Sequence, residues 1–333
     1  EAINLTQSAE NAKNNSAYYP AASYCFGANI KLRSILTDRL PRNKLIADLN
    51  NLKHELSEFE NQVDKREINT ITDLQTKIIV KERLLDAKNH LTEGFKEAHK
   101  EGKTASNLAY ATERFFSAIV WSEFFDKGEQ KKYLKSTQIK DSCLNKLSEA
   151  EERYQYVKLI THYPLENTRK ELNHAYQDLE KRDYELCLFK ASKAKAELDV
   201  TLSAMNIKED EIPNLIDEKL NAAKEQIIQE SEKGRFPILG YSYYLYSKDL
   251  KENNPISSLV YAEQALELSN IWLYFKERKI YKEPSIDLEK LQIFLSGILI
   301  GILIMLGPIL HQKFKKIPKT RNSKRKTSSK RKS

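Results

Sequence analysis

Apolar residues recur every three or four positions along most of this chain, and polar or proline-containing turns interrupt them. Leu45, Leu49, Leu52, Leu56 and Phe59 mark one face of a helix over about 43–65. The same spacing predicts helices over about 3–38, 71–100, 105–126 and 130–161, with stops at Pro41, Gly102, Gly128 and Pro164. Later breaks fall near Asp183, Pro213, Gly234 to Pro237, and Pro255. At the last of these Asn254 suits an N-cap and proline suits the first helical turn. No segment alternates apolar and polar residues as a strand would. The predicted fold class is all-α, an elongated set of antiparallel helical hairpins or a bundle. The helix over 105–126 is aromatic on one side, with Tyr110, Phe115, Phe116, Trp121, Phe124 and Phe125.

Small residues three apart recur within four of these helices. Leu188, Ala191 and Ala194 match Leu259, Ala262 and Ala265, and part of the spacing returns at Leu108 and Ala111 and at Tyr24 and Gly27. Such a seam lets a partner helix approach closely. In two cases a preceding helix and a polar turn complete a hairpin, one turning at Asp183 and Tyr184 and the other at Asn254. These resemble tetratricopeptide units, but the copies are roughly 70–85 residues apart, whereas a regular array repeats every 34 or so. The predicted organisation is a helical subdomain over 1–162 and a helical-hairpin subdomain over 163–284.

One stretch departs from amphipathic spacing altogether. Leu291 to Leu310 reads LQIFLSGILIGILIMLGPIL, twenty residues of which fourteen are Leu, Ile, Phe or Met. Twenty residues at about 1.5 Å each give about 30 Å, the thickness of a hydrocarbon core. This predicts a transmembrane helix within 288–312. Gly297 and Gly301 form a GxxxG pair, a contact through which two such helices could form a homo-oligomer. Beyond the span, residues 313–333 hold eleven Lys/Arg and no acid, a disordered basic tail that should remain cytoplasmic. That orientation makes the chain a single-pass cell-membrane protein with its helical domain outside. The opening residues carry no apolar signal core and the chain starts at Glu1, so a preceding segment is expected.

Charge sharpens the division. The chain is +8 overall, but ahead of residue 313 there are 44 basic against 47 acidic residues. The basic character therefore belongs to the tail, where it meets anionic lipid, and no nucleic-acid partner is expected. Asn4 and Asn14 begin glycosylation sequons, in keeping with an exterior location. Cys25, Cys143 and Cys187 lie far apart in apolar helical patterns and read as buried thiols; an odd count leaves at least one unpaired.

No catalytic constellation emerges. His54, His90, His99, His162, His174 and His311 are scattered, and there is no HExxH, CxxC, GxSxG or glycine-rich phosphate loop. No cofactor, metal or catalytic residue is predicted. The expected partners are the lipid bilayer and a protein partner or protein substrate.

The opening SAYYPAASYCFGANIKLRSIL, the late GYSYYLYSKDLKENNPISSLVYAEQALELSN, the long helices between them, one spanning helix and a short basic tail resemble the C-terminal region of archaeal membrane-bound Lon-like serine proteases. The resemblance implies an exported proteolytic domain, with a Ser–Lys dyad, ahead of this helical region. Its glycine- and serine-rich catalytic motif has no counterpart here, so no catalytic residue carries over. The function expected is a membrane-tethered, non-catalytic scaffold or protein-interaction region of such a protease. The alternatives are a stand-alone tail-anchored adaptor with cytosolic helical repeats, and an enzyme with an unrecognised helical active site.

Overall fold

Helix-forming segments separated by short capped turns give the chain its architecture. The computed structural model describes residues 1–98, 103–128, 133–161, 163–275, 292 and 296–298. Its helices are α1 (Ala2–Asn14), α2 (Tyr18–Thr37), α3 (Arg42–Asp64), α4 (Ile71–Lys96), α5 (Lys103–Ser122) and α6 (Ser136–Ile160). They are followed by α7 (Glu166–Glu180), α8 (Tyr184–Ala204), α9 (Ile212–Glu232), α10 (Ile238–Leu250) and α11 (Pro255–Ser269), and by a short 3-10 turn over Ile271–Phe275. No strand occurs among the described residues, and the fold is all-α.

Local chemistry explains the boundaries. Thr70 caps α4 by accepting from the Asp73 amide, Asp183 caps α8 by accepting from Leu186, and Asn254 caps α11 by accepting from Ser257. Arg182, just before the α8 cap, takes a φ of 63°, which reverses the chain over a few residues. The expected single helix over 3–38 is two helices. Ser16 adopts a φ of 59° between them, and α1 folds back on α2. Pro20 lies in the first turn of α2, where a missing amide hydrogen costs no intrahelical bond.

Each of the four small-residue segments falls in the later helix of a packed pair: α1 with α2, α4 with α5, α7 with α8, and α10 with α11. Leu188, Ala191, Ala194, Leu259, Ala262 and Ala265 are all buried, and α8 packs on α11. Gly240 on α10 sits at a close approach to α11. A Cβ there would lie 2.1 Å from Ser269 Oγ and 2.9 Å from the Ser269 amide nitrogen. Gly240→Ala should therefore destabilise the fold by about 1–3 kcal/mol through forced separation of α10 from α11. Chemical denaturation checks this, and an unchanged midpoint would show that the two helices separate freely.

Residues 1–276 form one compact unit. Its main core joins Ile71, Leu74 and Ile78 of α4 to Cys143 and Leu147 of α6, Leu172 of α7, Leu188 and Phe189 of α8, and Leu268 of α11. A neighbouring core gathers Leu49, Leu52 and Leu56 of α3 with Leu84 of α4 and Phe115 of α5. Helix α4 is the centre: every residue from Ile71 to Val80 is buried, polar ones included. Gln75 makes this tolerable by donating to the Leu268 carbonyl at 2.7 Å and accepting from the Leu239 amide at 2.9 Å.

Two cysteine expectations are corrected. Cys143 and Cys187 are buried but joined in a disulfide, because α6 and α8 pack together and bring their Cα atoms to 5.7 Å. Cys25 is exposed on the outer side of α2. No helix among the described residues is long and apolar enough to cross a membrane. The predicted span lies outside the described residues except for Gln292, Ser296, Gly297 and Ile298, and so does the basic tail.

Candidate functional site

Aromatic residues on α2 and α5 do not all enter the core. Phe115 and Phe125 are buried, whereas Phe116 and Phe124 remain exposed beside the half-buried Trp121. Tyr19 of α2 meets Trp121 edge to face at 6.0 Å and Tyr246 of α10 at the same distance. Trp121 in turn lies 5.5 Å from Phe124. Between α2, α5 and α10, Tyr19, Trp121 and Phe124 wall a cleft of about 380 Å³ that Phe236 and Tyr241 also line. A second hollow of about 480 Å³ shares Val120, Phe124, Phe236 and Ile238 with it, so the apolar surface continues past the rim.

Two cations reach this apolar cleft. Arg114 of α5 stacks over Phe26, 4.5 Å from the ring centre, and its Nε lies 2.6 Å from Asp86. Arg83 comes from the central helix α4, and its Nη1 stands 3.0 Å from Glu82 Oε2. Burial opposes the Arg83 charge, but Glu82 beside it holds the guanidinium above its ordinary value. Burial also pushes the Tyr19 and Tyr243 phenols up, so both stay neutral hydroxyls at neutral pH.

A different charged cluster bridges α6, α8 and α11. Asp199, Glu263 and Glu267 place carboxylate oxygens within 4.8 Å of one another. Their charge is met from the protein itself: Lys146 Nζ is 2.8 Å from Glu267, Lys195 contacts both Glu267 and Asp199, Arg153 Nε is 2.9 Å from Asp199, and Lys219 pairs with Glu263. With these cations in place the trio ties α8 and α11 to α6 and α9. At the α7–α8 turn Lys81 likewise bridges Asp183 at 2.8 Å and Glu185 at 3.7 Å.

The residues singled out by sequence fall in several places. The six seam residues lie inside the core, while Asn4 and Asn14 are exposed on α1. Gly297 is exposed, with nothing within 4 Å of a Cβ there among the described residues, and Leu291, Gly301 and Leu310 lie outside them. His90 contacts Asn107 at 3.0 Å, His54 faces Glu58 and His174 faces Glu171; His99, His162 and His311 lie outside the described residues. The aromatic side of α5 was visible in the sequence, but Arg83 was not. It stands in the run Lys81-Glu82-Arg83, which reads as a solvated face.

No protein-family model matches this chain, and no characterised protein or solved structure matches it either.

Proposed function

We propose that this chain is a non-catalytic helical scaffold and protein-interaction region, built from tetratricopeptide-like hairpins and tethered to the membrane by residues 291–310. In this reading its helical domain faces outside, its basic tail faces the cytoplasm, and it is the C-terminal part of an archaeal Lon-like serine protease. The observation that carries the interaction role is an apolar stripe on α2. Leu32 stands one helical turn before the adjacent Ile35 and Leu36, and the three are 51%, 54% and 65% exposed. A helix holding three large apolar residues in water at this spacing is suited to a partner's groove. The stripe is rigidly mounted, since Arg33 pairs with Glu113 of α5 at 2.5 Å and Thr37 donates to the Ala105 carbonyl at 3.1 Å. The buried Cys143–Cys187 disulfide supports the exterior location, because such bonds persist in oxidising compartments.

A photo-crosslinking amino acid at position 36, in cells, tests the interaction. The expected product joins this chain to a Lon-like proteolytic domain, and the same probe at the exposed Lys53 on α3 should give none. Crosslinks only between copies of this chain, or none at all, would remove the protease assignment. Protease added to intact cells should degrade the helical domain; protection would favour the cytosolic adaptor.

A further inference from the structure

Arg83 brings to the aromatic cleft a guanidinium that Glu82 pairs with but whose hydrogen-bonding capacity is partly unused among the described residues. Its side chain is 13% exposed, and its buried Nε has no hydrogen-bond partner among the described residues. Glu82 engages only Nη1, in an ion pair without hydrogen-bond geometry. Arg114, by contrast, already holds Asp86 through its own Nε. A buried guanidinium with unsatisfied donors is a cost that an anion at its accessible edge reduces.

The remaining wall limits what that anion can carry. It is made of rings such as Tyr19, Phe26, Trp121 and Phe124, with a few serine hydroxyls. One of these, Ser242, already donates to the Ile238 carbonyl of its own helix. Helical walls spend their backbone groups internally, so a peptide would bury amides without partners there. A ligand with one anionic head and an otherwise apolar body brings no such groups. The volume of about 380 Å³ falls within the range of small-ligand sites, about 300–1,000 Å³.

We propose that the cleft between α2, α5 and α10 binds a long-chain aliphatic carboxylic acid. Its carboxylate meets the Arg83 guanidinium that lines the cleft, and its chain lies along the Tyr19, Trp121 and Phe124 rings. This site is separate from the α2 stripe and does not depend on a protease partner.

Calorimetric titration of the full chain in lipid nanodiscs, with empty nanodiscs as the blank, tests the proposal. Dodecanoate should bind at least about tenfold more tightly than dodecanol, the expected scale for one charge-assisted hydrogen bond. Arg83→Met should remove that preference while leaving dodecanol binding unchanged. Glu82→Gln should tighten dodecanoate binding several-fold by freeing the guanidinium from its competitor. Equal binding of acid and alcohol overturns the proposal, as does an unchanged preference in Arg83→Met. If Arg83→Met does not fold, Glu82→Gln decides alone: unchanged or weaker dodecanoate binding refutes the assignment. A leucine-terminated peptide that binds more tightly than dodecanoate refutes it too.

Discussion

Replacing both Cys143 and Cys187 by alanine should lower the stability of the helical domain by about 4 kcal/mol, the chain-entropy value for a link across 44 residues. The bond joins α6 to α8 inside the main core, where both cysteines are fully buried. Its loss also removes two sulfur atoms from packed surroundings, which adds a packing cost to the lost constraint. Urea unfolding of the double variant against the parent chain measures the effect; Cys25→Ala, at an exposed position, should change it by no more than about 0.5 kcal/mol. Alkylation after unfolding without reductant should label Cys25 alone. Labelling of all three cysteines would show that α6 and α8 carry thiols, and the exterior location would lose its chemical support. Because the bond is buried, a reductant should act slowly on the folded protein and quickly in urea.

The disulfide also shows where sequence reading stops. Helical spacing found α3 and the starts of α8 and α11 to within a few residues, because these carry local signals such as Pro41, Asp183, Asn254 and Pro255. The break between α1 and α2 has no such signal. Asn14, Asn15 and Ser16 are permissive and not disruptive, and the turn at Ser16 is fixed by α1 folding onto α2. Pairing of Cys143 with Cys187 depends on a helix crossing, a non-local fact that residue spacing does not contain. The small-residue pattern was legible as a seam because Ala191, Ala194, Ala262 and Ala265 recur at helical steps. The cleft was half legible. Its rings stood out on α5, but Arg83 lies on a helix whose first ten residues are all buried, so its charged run does not behave as a surface. A central helix has little solvent-facing side, and its polar groups must find partners within the protein.

The same rule gives Glu267 an outsized role. Glu267→Ala should destabilise the domain by about 3–5 kcal/mol, the scale for removing one partner of a buried ion pair. Lys146 is only 2% exposed and would keep one carboxylate, Glu149 at 3.2 Å, and the Tyr274 ring, while Lys195 would retain Asp199. A surface pair would cost no more than about 1 kcal/mol, so urea unfolding at neutral pH separates the two cases. Acid supplies a second test. Burial raises the Glu267 carboxyl, but Lys146 and Lys195 outweigh it and hold it below the ordinary carboxylate range. Its contribution is therefore present above that range and is lost as pH falls through the lowered folded-state value. Glu263, Asp178 and Glu197 are shifted the opposite way, chiefly by burial, and their contribution is lost as pH rises through their raised values. The gap between the parent chain and Glu267→Gln should accordingly narrow on acidification below about pH 4. A constant gap would mean that size and packing, not charge, make Glu267 matter. Replacing Lys146 by methionine together with Glu267 by leucine should recover much of the loss, because apolar groups of similar volume carry no desolvation penalty.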